Sequence, residues 1–274
     1  LEQCLKETNE IGFSGIEAGG KFPKKSSELI PKLEKENLKL CSGWYGANLL
    51  KNSVKEELSI MKEQLDLFKE CDAPCIVFAE VSGSIQGEAK TPLSKRPILN
   101  KEEWKTFYYK INEISKYMED SDMPLAYHHH MGTVVQSQED TERLIDNTSD
   151  TVRLLIDTGH MMFAGGDFVK IAKDYSSRLH HIHCKDIRKD VLENSLKNDL
   201  SFIDAFFAGA FTVPGDGCIN YEIFLKLLKD FNYNGWLVVE AEQDPRKANP
   251  LEYGKIGFNH LKKIALNCGF DITR

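Results

Sequence analysis

TVRLLIDTGH, residues 151–160, reads as a buried strand that turns polar at its C-terminal end. Leu154, Leu155 and Ile156 are consecutive rather than alternating apolar residues, as expected when both faces of a strand are covered. Asp157 closes the run and His160 follows one turn on. The same layout recurs along the chain. Glu17 stands near the end of GFSGIEAG, Trp44 in LKLCSGWYG, Glu80 in APCIVFAEVSG, His128 in MPLAYHHH, His183 in LHHIHCKD and Glu240 in GWLVVEAEQD. Between these runs lie amphipathic stretches such as VKEELSIMKEQLDLFKECD, with apolar residues at 58, 61, 65 and 68, spaced for one helical face.

Seven strands, each followed by a helix, leave two architectures: a doubly wound sheet or a (β/α)8 barrel. No GxGxxG follows the first strand, which disfavours a dinucleotide fold. A barrel gathers all the polar strand ends on one rim, whereas an open sheet strings them along a line. The expectation is therefore an α/β protein, a (β/α)8 TIM barrel forming a single domain over residues 1–274. The chain opens directly on a helix, LEQCLKETNEI, so the eighth strand is expected upstream of Leu1.

Composition narrows the function. With 42 acidic and 35 basic residues the formal charge is -7, which argues against a general nucleic-acid binder, because phosphate contacts need clustered Lys and Arg. No apolar run reaches transmembrane length and no secretory signal is visible, so no membrane partner is expected. The seven cysteines are irregularly spaced and fit no paired CxxC motif, which suits reduced thiols in a cytoplasmic protein.

Seven of the eight histidines fall between 128 and 183, within three successive strand ends. In YHHHMG, strand alternation puts His128 and His130 on one face and His129 on the other. His181 and His183 likewise share a face of the next strand but one, with Lys185 just beyond. Asp157, His183 and Glu240 on neighbouring barrel strands make a mixed oxygen and nitrogen set suited to Mn²⁺, Co²⁺, Mg²⁺ or Zn²⁺. Plainer readings compete. Asp157 serves equally as a helix cap, His181 as a structural neighbour, Lys185 and Arg188 as solvated loop charges, Trp44 as core, and Asp216 in PGDG as a turn residue. Glu240 is harder to dismiss, since a carboxylate ending LVV needs a cation or a donor.

IDTGHM, HIHCKD and WLVVEAE resemble the xylose-isomerase-like TIM barrels. AEVSGSIQG, LAYHHHMGTVVQ, FTVPGDGCINYE and GWLVVEAEQDPRKANPLEY are similar to the inosose (2-keto-myo-inositol) dehydratases among them, and the likeness covers essentially the whole chain after its start. That resemblance implies a divalent metal, Mn²⁺ or Co²⁺, held by Asp157, His183 and Glu240. The superfamily usually places a Glu where LAYH ends here, so the fourth position falls to His128, His130 or water. It implies loss of water from a cyclic polyhydroxy ketone, giving a trihydroxycyclohexane-1,2-dione in myo-inositol catabolism. Glu80, His160 and Lys185 are the candidates for proton transfer, and Lys185 would need burial or a cationic neighbour to be neutral. Glu17, Trp44, Gln86, His130, Arg188 and Asp216 are the candidates for binding the substrate. Homo-oligomerisation stays open. A ketose epimerase or isomerase, returning the proton instead of expelling water, and a non-catalytic sugar-binding barrel are the competing readings.

Overall fold

Strands that all run the same way need a crossover between each pair, and the helices between the apolar runs supply it. The computed structural model describes residues 1–272. Among these, seven strands form one parallel sheet in chain order: β1 (Gly15–Ala18), β2 (Lys39–Ala47), β3 (Ile76–Glu80), β4 (Leu125–His128), β5 (Val152–Asp157), β6 (Leu179–Cys184) and β9 (Leu237–Val239). The layer around them comprises α1 (Glu2–Ile11), α2 (Ser26–Lys35), α3 (Val54–Glu70), α4 (Lys101–Asp120), α5 (Gln138–Asp146), α6 (Thr158–Phe163), α7 (Phe168–Asp174), α10 (Tyr221–Asp230) and α11 (Pro250–Asn267). Three of these helices start on capping boxes, Ser53 with Glu56, Asn100 with Glu103 and Ser137 with Asp140, each pair satisfying two backbone N–H groups left over by the first turn.

The period of two along each strand divides the interior from the helix layer. Val77 of β3, Ala126 of β4 and Leu155 of β5 meet Cys75 in a small inner cluster. Their neighbours Phe78, Leu125 and Tyr127 point outward into the packing with α3 and α4, while Leu154, Ile156 and Ile182 pack outward on the other side. His128 and Asp157 have the inward parity of Ala126 and Leu155.

The sheet runs from β1 to β9 without pairing those two strands. Both are half-buried throughout, whereas every residue of β3 and β4 is buried. A cleft of about 830 Å³ follows this seam, lined by Phe13, Ile16, Cys41, Leu237 and Phe270 among others. Trp236 leans across it: a Cβ at Gly15 would come within 2.6 Å of its ring. An eighth strand of the parallel sheet is thus not found among the described residues.

One stretch departs from the sequence reading. The stretch after LHHIHCKD, which looks like a polar insertion, holds α8 (Lys189–Lys197), α9 (Phe202–Ala208) and β8 (Phe211–Thr212), which forms an antiparallel ribbon with β7 (Asp186–Ile187). Phe202, Ala205 and Phe211 are buried by it. All seven cysteines are unpaired, and among the described residues no helix is long and apolar enough to cross a membrane.

Candidate active site

Inward parity at successive strand ends brings His128, Asp157, His183 and Glu240 together, each offering one donor atom within 4.8 Å of the others. His128 Nδ1 donates to the His129 carbonyl at 2.6 Å, which leaves Nε2 as the lone pair, 3.6 Å from Asp157 Oδ2. Asp157 spends its other oxygen on the chain: Oδ1 accepts from the His160 N–H at 2.8 Å and caps α6. Its two candidate roles are therefore compatible. His183 Nδ1 lies 2.9 Å from Glu240 Oε2 and 3.6 Å from Asp157 Oδ2. Three of these atoms, Asp157 Oδ2, His183 Nδ1 and Glu240 Oε2, are buried with no partner in hydrogen-bond geometry. Buried polar atoms without partners are costly. Atoms that converge without bonding one another are arranged for a common guest, and two imidazoles with two carboxylates suit a divalent cation.

A second cluster stands beside the first. Lys185, 1% exposed, places Nζ 2.8 Å from Glu242 Oε2, 3.3 Å from Glu240 Oε2, 3.4 Å from Asp157 Oδ2 and 2.9 Å from His160 Nε2. Burial alone would lower the Lys185 pKa, but Asp157, Glu240 and Glu242 outweigh it and raise it. Lys185 is therefore held as a cation, and burial does not make it the neutral base the sequence allowed. Gly159 makes room for it, since a Cβ there would come within 2.9 Å of Lys185 Cγ. His160 is fully buried, and burial, with His130 and Lys185 beside it, pushes it down to about 3. His130 Nδ1 donates to the Met131 carbonyl at 2.8 Å, and its Nε2 faces Glu242 Oε1 at 3.8 Å. Around both clusters lies a cavity of about 380 Å³ whose wall includes Trp44, Gln86, His130, Phe202, Glu240 and Glu242. That is room for a small-molecule ligand.

The family model of xylose isomerase-like TIM barrels matches residues 5–264, nearly the length over which these strands and this site are built. The chain belongs to that family. The rhizopine catabolism protein MocC of Rhizobium meliloti is 41% identical over 273 residues, covering 100% of this chain and 84% of its own length. An inosose dehydratase of Clostridium perfringens is 41% identical over 265 residues, 96% of this chain and 89% of that protein. Among solved structures, the IolI protein with a bound zinc atom superposes with a TM-score of 0.65 at 16% identity, covering 98% of this chain and 92% of IolI. At that identity the likeness shows the fold.

In this xylose isomerase-like barrel several expected site residues lie elsewhere. Glu80 has the outward parity of Phe78, and its two oxygens accept from the Leu49 and Ser82 N–H groups at 2.6 and 2.8 Å. It ties two loops together and does not line the cavity. Arg188 and Asp216 bind each other at 2.5 Å, and Arg188 also donates to the Gly209 carbonyl at 2.8 Å and Thr212 Oγ1 at 3.0 Å. They staple the ribbon to the loop after α9 and do not line the cavity. His160 and Lys185 also stand behind its wall. Glu17 does line it, yet its Oε1 accepts from both His181 Nε2 and His183 Nε2, at 2.8 and 3.1 Å. Trp44 packs edge-on against His128 and His130 at 5.4 Å. Gln86 leaves Oε1 buried and unpartnered at the cavity wall. His129 turns away and its Nε2 accepts from the Asp157 N–H at 3.3 Å.

Glu242 and Phe202 were missed. For Glu242 the signal was present: in WLVVEAE it lies two residues after Glu240 and so on the same face. Phe202 carried no such signal, because only the packing of α9 over the barrel mouth brings it to the wall.

Proposed function

We propose that this chain is a divalent-metal-dependent hydro-lyase that removes water from a cyclic polyhydroxy ketone of the 2-keto-myo-inositol type, giving a trihydroxycyclohexane-1,2-dione. The observation that carries the reading is the convergence of three buried atoms that make no hydrogen bond, Asp157 Oδ2, His183 Nδ1 and Glu240 Oε2, with the His128 lone pair at the cavity wall. These four residues would hold the ion, Mn²⁺ or Co²⁺ by the resemblance. When bound, it supplies Lewis-acid stabilisation of the negative charge that develops on a ketone oxygen. The 41% identical inosose dehydratases support the substrate class.

The protein's own groups account for the proton transfers. His130 presents Nε2 as a lone pair to the cavity and takes the proton from the carbon beside the ketone. The hydroxyl one carbon further leaves as water, taking the proton from the His130 imidazolium by way of Glu242, whose Oε1 lies 3.8 Å from His130 Nε2. Lys185 stays an ammonium throughout and holds the other oxygen of Glu242 at 2.8 Å. His160 positions Lys185 from behind. Gln86 Oε1 accepts from a substrate hydroxyl, and Trp44 covers the ring's CH face. General acid–base catalysis of this kind contributes about 10²–10⁴-fold.

The test is elemental analysis followed by an ultraviolet assay with 2-keto-myo-inositol and added Mn²⁺ or Co²⁺. One ion per chain and a metal-dependent dione chromophore are expected. Bound metal with a stereoisomer as product would make the enzyme an epimerase instead, and failure to take up metal would remove the proposed site.

A further inference from the structure

We infer that Glu17 is a positioning residue for the metal centre, fixing His183 as an Nδ1 donor. The inference rests on the metal reading above and revises Glu17 from a hydroxyl-binding group. A neutral imidazole carries one N–H, and a carboxylate can only accept. Glu17 Oε1 sits 3.1 Å from His183 Nε2, so the proton that the ring keeps as a neutral ligand is the one on Nε2. Nδ1 is then left as a lone pair, and it is this atom that is buried without a hydrogen bond beside Asp157 Oδ2 and Glu240 Oε2. The same oxygen accepts from His181 Nε2 at 2.8 Å, so Glu17 is anchored from a second strand position and cannot swing toward a ligand without breaking both contacts.

The backbone is shaped for this. The register of β1 against β2 shifts between Ile16 and Glu17, and such irregularities re-aim side chains next to functional sites. Glu17 thereby reaches across the open seam to two histidines of β6, 164 and 166 residues away in sequence. A carboxylate behind a ligating histidine sets its tautomer and ring orientation, and removing one typically costs 10–100-fold in metal affinity.

The test is titration of the metal-free full chain with Co²⁺, read by calorimetry and by the visible absorption of the bound ion, for the wild type, Glu17→Gln and Glu17→Ala. The expected result is a Kd raised about 10–100-fold in Glu17→Ala and by less in Glu17→Gln, which retains a weaker acceptor, with the Co²⁺ absorption altered in both. Circular dichroism of each variant confirms that the folded protein is being titrated. A Kd and spectrum matching the wild type in both variants would overturn the inference while leaving the metal reading intact. Two ions per wild-type chain, the second lost in Glu17→Ala, would also overturn it, because Glu17 would then be a ligand. No uptake by the wild type would remove the metal reading and the inference together.

Discussion

At the scale of single residues, Lys185 has the most to lose. It is the cation shared by Asp157, Glu240 and Glu242, so Lys185→Met leaves buried carboxylates uncompensated. In chelator-treated protein the substitution should cost about 3–5 kcal/mol. Added Mn²⁺ should restore much of that, because an ion supplies the missing charge, while turnover stays depressed by about 10²–10⁴-fold. Urea unfolding with and without metal reads the first effect, and equal losses in both would refute it. Glu80→Gln tests the opposite assignment. One of the two backbone N–H groups now held by the carboxylate loses its acceptor, which should cost about 1–3 kcal/mol with turnover of the folded enzyme unchanged. A fall in turnover at unchanged stability would return Glu80 to the chemistry. Gly159→Ala should act on Lys185 from its backbone: the new Cβ meets both its side chain and its carbonyl at 2.9 Å, and overpacking of this kind costs about 1–3 kcal/mol.

At the scale of elements, the β7–β8 ribbon and α9 form a cover that contributes Phe202 to the wall. Arg188 ties that cover together through Gly209, Thr212 and Asp216. Arg188→Ala should therefore raise KM for the ketone more than it lowers kcat, with metal affinity unchanged, because none of the four donor residues touches Arg188. Steady-state kinetics beside a Co²⁺ titration separates the two, and a weakened metal site would show that the cover supports the centre directly. Element starts were legible in the sequence where chemistry is local, as in VKEELSIMKEQLDLFKECD, which opens at Val54 where α3 begins. α9 was not, since the burial of FIDAFF depends on what it lands on.

At the scale of the molecule, the histidines predict a stability maximum near pH 6.5 for the metal-free protein. His128, His129 and His160 are lowered, chiefly by burial, His160 to about 3. Below 6.5 the unfolded chain takes up protons that the folded one refuses, so stability falls as pH drops through that range. His181 and His183 shift the other way. Burial lowers both, but Cys75 and Glu17 outweigh it and hold His181 up at about 9, and Glu17 with Glu240 raises His183 well above its ordinary value. Their contribution is complete below 6.5 and is lost as pH rises through the folded values. Each unmatched proton is worth about 1.4 kcal/mol per pH unit. Urea unfolding in chelator from pH 5 to 9 should trace a dome, and a monotonic curve would contradict it.

The barrel and the inward placement of Asp157, His183 and Glu240 were readable from residues alone, because strand alternation and buried apolar runs are local rules that decide which side chain faces inward, whereas the fourth position stayed open among His128, His130 and water. LLID ending on Asp157, HIH on His183 and LVV on Glu240 needed no tertiary information to be placed on one rim. Glu80 obeyed the same pattern of a polar residue ending an apolar strand and yet points out, since its parity follows Phe78 rather than Val77. Only the folded chain decided that Lys185 is a cation among three carboxylates, that Arg188 and Asp216 are spent on each other, and that Glu17 reaches two histidines across the seam. Those outcomes depend on charges and acceptors brought close from distant positions, and Coulomb and hydrogen-bond energies are set by distances in space that spacing along the chain does not encode.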